Sequence, residues 1–305
     1  MTSRITLFIT MIFMFSAAAH AADAETASKI KSCNQAIAEG DAPKALAYAE
    51  QLLKQDKANR DALLCKGRAH GGTGQFKEAL AALQTAEKMS ATPLEHMVAL
   101  TLIGNVQKSA QQFTEALATY RQSLAIAQAE KDNGMQRIDL NLIGATLETT
   151  NQVQVALESY LAASPLAAND NERADSFARI ASAYSSLGKH DQAIEFQIKA
   201  ELLEERGGDL DHYANANLEL GRIYMLAKDY ANAEKAINTV IKLSKEQGGS
   251  FWEAKSYYYL AQVKAANNDP KAAKNLLADA LRISDEVGAQ PLSDQITHTQ
   301  QNLLK

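Results

Sequence analysis

Small residues recur along the chain in pairs whose members stand twelve positions apart. The seven pairs are Cys33/Ala45, Gly67/Ala79, Gly104/Ala116, Gly144/Ala156, Ala181/Ala193, Gly221/Ala233 and Ala261/Ala273. Their first members follow one another at intervals of 34 to 40 residues. Because a chain rich in alanine produces some such pairs by chance, the pattern needs support from a second, independent column of residues.

That second column stands seven residues after each first member. It holds Gly40, Gly74, Gln111, Asn151, Gly188, Lys228 and Asn268. Five of the seven are Gly or Asn, the residues that best tolerate the left-handed conformation that ends a helix. The two columns predict a helical hairpin repeated seven times, in which the small residues allow a close helix pair and the second column reverses the chain.

Two proline segments agree with this register. Asp41-Ala42-Pro43 and Asp269-Pro270 each place an acidic N-cap before a proline in the first helical turn. At that position the missing proline N–H costs nothing, because the first turn has no acceptor for it. Both segments therefore predict the start of a second helix.

The segment Leu220-Gly221-Arg222-Ile223-Tyr224 reproduces the L-G-x2-Y core of the tetratricopeptide repeat, and Ile180-Ala181-Ser182-Ala183-Tyr184 is a close variant. The array thus resembles tetratricopeptide repeats, although the initial Trp of their pattern is missing throughout. The resemblance implies an all-α right-handed superhelix, an α-solenoid. The expected repeats are about 26–59, 60–93, 97–130, 137–170, 174–207, 214–247 and 254–287, with a capping helix within 288–305.

Several repeats are 40 residues long. Asn133-Gly134, Gly207-Gly208, Gly248-Gly249 and Gly288 follow the second helices and are predicted as their C-caps, one turn later than in a 34-residue unit. Such extended repeats resemble those of bacterial regulatory and peptide-sensing members of the superfamily. The alternative is that the extra turn only alters the pitch of the superhelix.

Residues 1–21 have the features of a secretory signal peptide. Arg4 precedes the apolar run 5–15, and small residues lead to Ala21, where cleavage is expected. The run of about eleven residues is shorter than the 20 or so that cross a bilayer, so a retained membrane helix is the weaker alternative. We predict a periplasmic or secreted protein whose mature chain has no integral membrane segment.

The amino-acid composition indicates which class of partner is not expected. The chain has 31 Lys and Arg against 36 Asp and Glu, a formal net charge of −5, and 46% hydrophobic residues. Without a basic tract it lacks the electrostatic surface that binds phosphate, so we expect no nucleic acid partner. The abundance of Ala and Leu and the scarcity of β-branched runs favour helices.

We find no catalytic constellation in the sequence. No two histidines stand four apart, and neither H-E-x-x-H nor G-x-S-x-G occurs. Asp209, Asp211 and His212 could ligate a metal, but acidic residues are also expected at a helix start. Gly207-Gly208-Asp209-Leu210 faintly resembles a diguanylate cyclase signature without the surrounding α/β region. We predict a protein that is not an enzyme and uses no metal or cofactor.

Cys33 and Cys65 are the two cysteines of the chain. The repeat register places them on the first helices of adjacent repeats, which lie side by side in the architecture that the resemblance implies. In an exported protein this favours a disulfide. The alternative is a pair of small buried core residues.

The resemblance implies that a protein or peptide partner binds in the concave groove, lined by positions two, five, nine and twelve of each first helix. These positions give Arg68, Asn105, Asn141, Asn215, Arg222, Met225, Lys255, Tyr258 and Gln262. Asn105 and Asn141 are expected to bond a peptide backbone, the arginines to pair with its carboxylates, and Met225 and Tyr258 to offer apolar contact. The alternative is that these residues form merely solvated helix faces.

The predicted function is therefore an exported scaffold for protein–protein interaction. The alternative is an accessory or ligand-sensing component of an envelope system for polysaccharide or peptidoglycan, or of a signalling system. Because no cap precedes the first repeat, oligomerisation through that repeat is left open.

Overall fold

The computed structural model describes residues 24–207 and 209–303, and within these residues it contains fifteen α-helices and no strand. The all-α repeat fold predicted from the sequence is confirmed. The proposed signal peptide, residues 1–21, lies outside the described residues. The helices are α1 (24–38), α2 (Ala42–Gln55), α3 (Arg60–Gly72), α4 (Phe76–Lys88), α5 (Pro93–Ser109), α6 (Phe113–Glu130), α7 (Asn133–Thr149), α8 (Val153–Ala163), α9 (Asp170–Ser186), α10 (His190–Gly207), α11 (Leu210–Leu226), α12 (Tyr230–Gln247), α13 (Ser250–Ala266), α14 (Pro270–Glu286) and α15 (Gln290–Leu303).

The turns inside the hairpins have the predicted left-handed residues. All seven members of the second column have positive φ, from 59° at Asn151 to 77° at Gly74. The residue after each donates its N–H to a carbonyl five positions back, for example Asp229 to Tyr224 at 2.9 Å, which satisfies the free end of the preceding helix. The prediction is confirmed even at Gln111 and Lys228, whose side chains make this conformation less favourable.

The small residues allow the paired helices to approach closely. A Cβ added to Gly221 would lie 2.7 Å from Cγ1 of Ile237 and 3.3 Å from the carbonyl oxygen of Ala233. A Cβ added to Gly104 would overlap the buried ring of Tyr120. The column of small residues therefore sets the spacing within a hairpin.

The predicted helix starts at the two proline segments are confirmed. Asp41 accepts a hydrogen bond from the N–H of Lys44 at 3.0 Å, and Asp269 accepts one from that of Ala272 at 3.0 Å. Asp209 likewise caps α11, accepting from the N–H groups of Asp211 and His212.

The ends of the second helices are predicted correctly only in part. Gly248 and Gly288 adopt the left-handed conformation, as expected for C-caps. The prediction for Asn133-Gly134 is wrong, because the left-handed residue is Lys131 and Asn133 already begins α7. Gly207 is the last residue of α10, and Gly208 lies outside the described residues.

The chain forms two compact units, and the boundary between Thr146 and Leu147 falls within α7. In unit 1 (up to Thr146), the hairpins α3–α4 and α5–α6 pack side by side. In unit 2 (from Leu147), α9–α10, α11–α12 and α13–α14 do the same, and the first helix of one hairpin also contacts that of the next. No described helix is long and apolar enough to cross a membrane.

The last helix closes the core of unit 2. On α15, Leu292 and Ile296 are buried against Leu277 and Ile283 of α14. The opposite face of α15 is exposed, as the polar sequence of that helix requires.

Candidate partner-binding site

Two of the candidate residues of unit 1, Arg68 and Asn105, already have partners within the protein. Arg68 donates a hydrogen bond to Oδ1 of Asn34 at 2.8 Å, and these two residues occupy the ninth position of adjacent repeats. Asn105 accepts a hydrogen bond at 2.8 Å from the hydroxyl of Tyr120, whose side chain is fully buried. Asn105 therefore stabilises the hairpin α5–α6, whatever else it does.

The assignment of Asn141 to an open groove is wrong. Asn141 is only 8% exposed, and its Oδ1 is buried with no hydrogen-bond partner among the described residues. The residue lies at the fifth position of its first helix, and that helix turns this position inward.

Tyr258, also at a fifth position, is likewise wrong as a groove residue. It is 6% exposed, its hydroxyl lies 3.2 Å from Oγ1 of Thr299 on α15, and its ring meets that of Tyr259 edge to face. Leu218, at the fifth position of α11, is fully buried. The fifth positions of α7, α11 and α13 therefore lie in the core, whereas that of α9, Ala178, is only partly buried.

Three further candidates are half-buried. Met225 packs against the core cluster of α11, α12 and α13. Nζ of Lys255 lies 4.8 Å from the ring centre of Trp252, and burial lowers the pKa of this lysine. For Gln262 a role in partner binding stays a prediction.

The remaining two candidates, Asn215 and Arg222, border a cavity of about 690 Å³, which we name the unit 2 cavity. Its volume is in the range of ligand-binding clefts. Three first helices contribute to it, together with α10 and the ends of α7 and α8. The lining residues are Glu148, Tyr160, Asn171, Ala174, Asp175, Ala178, Arg179, Ser182, Gln197, Ala200, Glu204, Asp211, His212, Asn215, Ala216, Glu219, Arg222, Ile223 and Trp252.

The first helices α9 and α11 present the same face to this cavity. On each helix the lining residues include the second, sixth and ninth positions of the repeat, which share one side of an α-helix. These are Asp175, Arg179 and Ser182 on α9, and Asn215, Glu219 and Arg222 on α11.

Both arginines of the cavity are bound to carboxylates of their own helix. Nε of Arg179 donates to Oδ2 of Asp175 at 2.9 Å, and Nε of Arg222 donates to Oε2 of Glu219 at 2.7 Å. The other oxygen of Glu219 accepts from the hydroxyl of Tyr259 at 3.3 Å, and burial next to Glu219 raises the pKa of that tyrosine to about 12. Each guanidinium is therefore already paired with one carboxylate of its own helix.

Hydrogen bonds between helices hold the walls of the cavity. Tyr160 donates to Oε2 of Glu148 at 2.7 Å, and the indole N–H of Trp252 donates to Oδ1 of Asp211. The buried Gln197 donates to the carbonyl of Ala216 at 2.9 Å. These contacts join α7 to α8, α11 to α13 and α10 to α11, and so give the cavity a preformed shape.

Glu204 differs from the other acidic residues of the cavity, because its side chain makes no hydrogen bond within the described part of the chain. Desolvation raises the pKa of this carboxyl, His212 counteracts the shift, and the negative charges of Asp209 and Asp175 add to it. Glu204 also lies in the last turn of α10, where the helix dipole disfavours negative charge. The site therefore holds one carboxylate in a poorly compensated position.

Sequence reasoning did not select Arg179, Glu219 or Trp252. The first two occupy the sixth position, which the groove pattern carried over from the family omits. The pairs Asp175/Arg179 and Glu219/Arg222, spaced four and three residues apart, were the signal in the sequence that marked this face.

The structure joins Cys33 and Cys65 in a disulfide, with their Cα atoms 6.4 Å apart. Both residues belong to a buried cluster formed with Ala36, Ala45 and Ala49. Oxidation of the pair in the compartment where the protein works stays a prediction.

Known proteins share the fold of this chain at low sequence identity. The chain is 24% identical over 187 residues to outer dynein arm-docking complex subunit 4 from Mus musculus, a match that covers 61% of this chain and 30% of that protein. The chain thus spans less than a third of the length of this relative.

Two solved structures cover most of the chain. The apo form of RapI aligns with a TM-score of 0.69 and 14% identity, over 92% of this chain and 82% of RapI. A signal transduction ATPase with numerous domains, with a tetratricopeptide repeat sensor, from Pyrococcus horikoshii aligns with a TM-score of 0.72 and 14% identity, over 90% of this chain and 44% of that protein. At these identities the likeness shows the fold alone.

Four family models, each described as tetratricopeptide repeat, match successive parts of the chain. They match residues 36–97, 99–134, 174–206 and 212–286, and together they span most of the array of hairpins. The resemblance found in the sequence is thereby confirmed, and the chain belongs to the tetratricopeptide repeat family.

Proposed function

We propose that this protein is an exported scaffold that binds a protein or peptide partner through the unit 2 cavity and the first-helix face around it. Tetratricopeptide repeats point to a protein–protein interaction scaffold, and this fold is typically not catalytic. The observation that carries the proposal is the preformed cavity, lined by the same face of α9 and α11 and held open by hydrogen bonds between helices.

The name of the mouse relative, a subunit of a docking complex, supports an assembly role. Export rests on the sequence of residues 1–21 and on the two cysteines. It is tested by N-terminal sequencing of the protein from its native cells, which should give a mature chain starting at Ala22. A chain that retains Arg4 in the mature protein would contradict export by a cleaved signal.

The binding site is tested by filling the cavity. Ala178 lines the unit 2 cavity, so Ala178→Trp should occupy part of it, whereas Ala231→Trp adds the same side chain to the exposed start of α12. The immobilised full chain and both variants are exposed to envelope extract, and thermal unfolding checks that each variant is folded. A stoichiometric partner retained by the wild type and Ala231→Trp but lost by Ala178→Trp supports the proposal. A partner retained by both variants places binding elsewhere.

Ligand sensing is the second candidate function. It is favoured by the volume of the cavity and by the description of the Pyrococcus horikoshii repeats as a sensor. Native mass spectrometry of the protein from its own cells distinguishes the two. A bound small molecule that is lost in Ala178→Trp would replace the scaffold proposal.

A further inference from the structure

We infer that the unit 2 cavity selects a positively charged peptide segment, whose Lys or Arg side chain pairs with Glu204. This inference rests on the proposed function and names the chemistry of the partner. It reverses the expectation from the sequence that Arg222 pairs with carboxylates of the partner.

The balance of charge in the cavity is the first argument. Its lining includes five carboxylates against two guanidinium groups and one imidazole. Each guanidinium is bound to a carboxylate of its own helix, at Asp175 and Glu219. Once these pairs are formed, the remaining charge of the cavity wall is negative, and a cationic group complements it.

The state of the remaining carboxylates is the second argument. Glu148 and Asp211 accept hydrogen bonds from Tyr160 and Trp252, whereas Glu204 makes none within the described residues. The imidazole of His212 is close enough to act on Glu204, but it also lies 3.3 Å from Oδ2 of Asp209. A cation from a partner would satisfy Glu204 and offset the repulsion from Asp175 and Asp209.

A neighbouring cleft extends the negative surface. Glu204 also lines a second cleft of about 360 Å³, which is bordered by Glu205, Asp209 and Glu246 and by one cation, Lys242. Lys242 lies 3.9 Å from Glu246. Negative charge on both sides of Glu204 suits an extended segment with more than one basic residue.

The rim of the cavity offers groups for a peptide backbone. Asn171 and Asn215 are exposed, line the cavity and lie on adjacent first helices. An amide side chain both donates and accepts, so it can bond the backbone of an extended segment without regard to its sequence. The asparagines would then hold the chain, and the acidic wall would set its charge preference.

The test uses defined probes rather than the natural partner. A fluorescent peptide of alternating Ser and Lys, and its counterpart with Glu in place of Lys, are titrated with the full mature chain at two salt concentrations. The Lys peptide should bind more tightly, and its affinity should fall as salt screens the charges. Preference for the Glu peptide, or no binding of either, overturns the inference.

Two variants with matched controls locate the binding. Glu204→Gln should weaken binding of the Lys peptide by about tenfold, in line with the loss of a charge-assisted hydrogen bond. Glu195→Gln, on the exposed side of the same helix, should change it less than about twofold. Equal losses in both variants would show nonspecific attraction and overturn the assignment to the cavity.

A third variant tests whether the cavity selects a basic segment or, through Arg222, an acidic one. The two possibilities predict opposite changes in the affinity for the Lys peptide. Arg222→Gln releases Glu219, so it should tighten binding of the Lys peptide by a few-fold, while Arg282→Gln on α14 should not. Weaker binding of the Lys peptide in Arg222→Gln contradicts the inference.

Spermidine tests whether the cation that occupies the cavity comes from a small molecule instead of a peptide. If spermidine binds as tightly as the Lys peptide and loses the same affinity in Glu204→Gln, the occupant is a polyamine and the peptide inference is overturned.

The peptide titrations and the cavity-filling experiment test two different proposals, so either proposal can fail while the other holds. If the captured partner depends on Ala178 but the Glu peptide binds better, the scaffold proposal stands and the charge inference fails. If no partner depends on Ala178, the scaffold proposal fails at this site, whatever the peptides do.

Discussion

The first helices of the two units carry polar residues at equivalent positions, but these residues have different surroundings. At the ninth position in unit 1, Arg68 is hydrogen-bonded to Asn34 and Asn105 to the buried Tyr120. At the ninth position in unit 2, Ser182 and Arg222 border a cavity of about 690 Å³. A repeat position therefore does not define a binding site by itself, because the neighbouring side chains decide whether it stays open.

Acidic residues of the two units also differ in their surroundings. In unit 1, Asp139 is completely buried, and the hydroxyl of Thr101 donates a hydrogen bond to its Oδ1 at 3.3 Å. Burial raises the pKa of this carboxyl to about 6. In unit 2, by contrast, Asp175, Glu204 and Glu219 line the cavity and are only partly buried. These acidic residues therefore differ in burial, and our proposal assigns partner binding to those that line the unit 2 cavity.

Removal of the disulfide should have the largest effect and should be confined to unit 1. Cys33→Ser combined with Cys65→Ser opens a loop of 32 residues, which costs about 3 to 4 kcal/mol of unfolding free energy in the chain-entropy model. Denaturant unfolding measures the loss, and hydrogen exchange should show it in α1 to α4 but not in α11 to α14. Free-thiol labelling of both cysteines in unreduced protein from its native compartment would show that the bond is not formed there.

The buried carboxyl should give unit 1 a distinctive pH dependence. Because the pKa of Asp139 is raised from 3.8 to about 6 in the fold, the folded state binds more protons than the unfolded state between these values. The free energy of unfolding should therefore fall as pH rises from about 4 to about 6, by on the order of 2 to 3 kcal/mol. Asp139→Asn should remove this contribution, as measured by denaturant unfolding at several pH values. An unchanged slope would mean that Asp139 is not the group responsible.

Two helical glycines, Gly104 and Gly72, should respond differently to substitution because the space around them differs. Gly104→Ala places a Cβ against the ring of Tyr120 and should lower stability by about 1 to 3 kcal/mol. Gly72→Ala, where no atom lies within 4 Å, should raise it by up to about 1 kcal/mol. Thermal unfolding of the two variants tests the contrast, and similar stabilities would refute the predicted close approach of α5 and α6.

The smallest effect on stability is expected at the cavity. Arg222→Glu breaks a partly exposed ion pair with Glu219, and Arg282→Glu breaks a similar pair with Glu286. Each should cost less than about 1 kcal/mol, because such pairs contribute little in water. Thermal unfolding should thus separate both from the disulfide variant, and a larger loss in Arg222→Glu would give this residue a structural role.

The turns of the fold could be predicted from the sequence because they depend on local backbone chemistry. The column that holds Gln111 and Lys228 predicted left-handed residues even where Gly and Asn are absent. The prediction failed at Asn133-Gly134, because a Gly after a polar residue fits a helix start as well as a helix end.

The site could be predicted less well, because it depends on how each first helix is rotated against its neighbours. Asn215 and Arg222, predicted as groove residues, border the unit 2 cavity, and their role in binding stays a prediction, whereas Asn141 and Tyr258 lie in the core. The sequence periodicity defines a helix face only to within about one residue, and on α11 a shift from the fifth position, Leu218, to the sixth, Glu219, exchanges a core side chain for one that lines the cavity. Only the packing of α9, α11 and α13 decides between them.

Site-specific photo-crosslinking in the native cells tests whether partners bind in unit 2 rather than unit 1. A photoreactive residue is placed at Asn215, which borders the unit 2 cavity, or at Asn34, which is also exposed and lies on a first helix of unit 1. Our account predicts an adduct with a partner from position 215 and none from position 34. An adduct from position 34 without one from position 215 would contradict it.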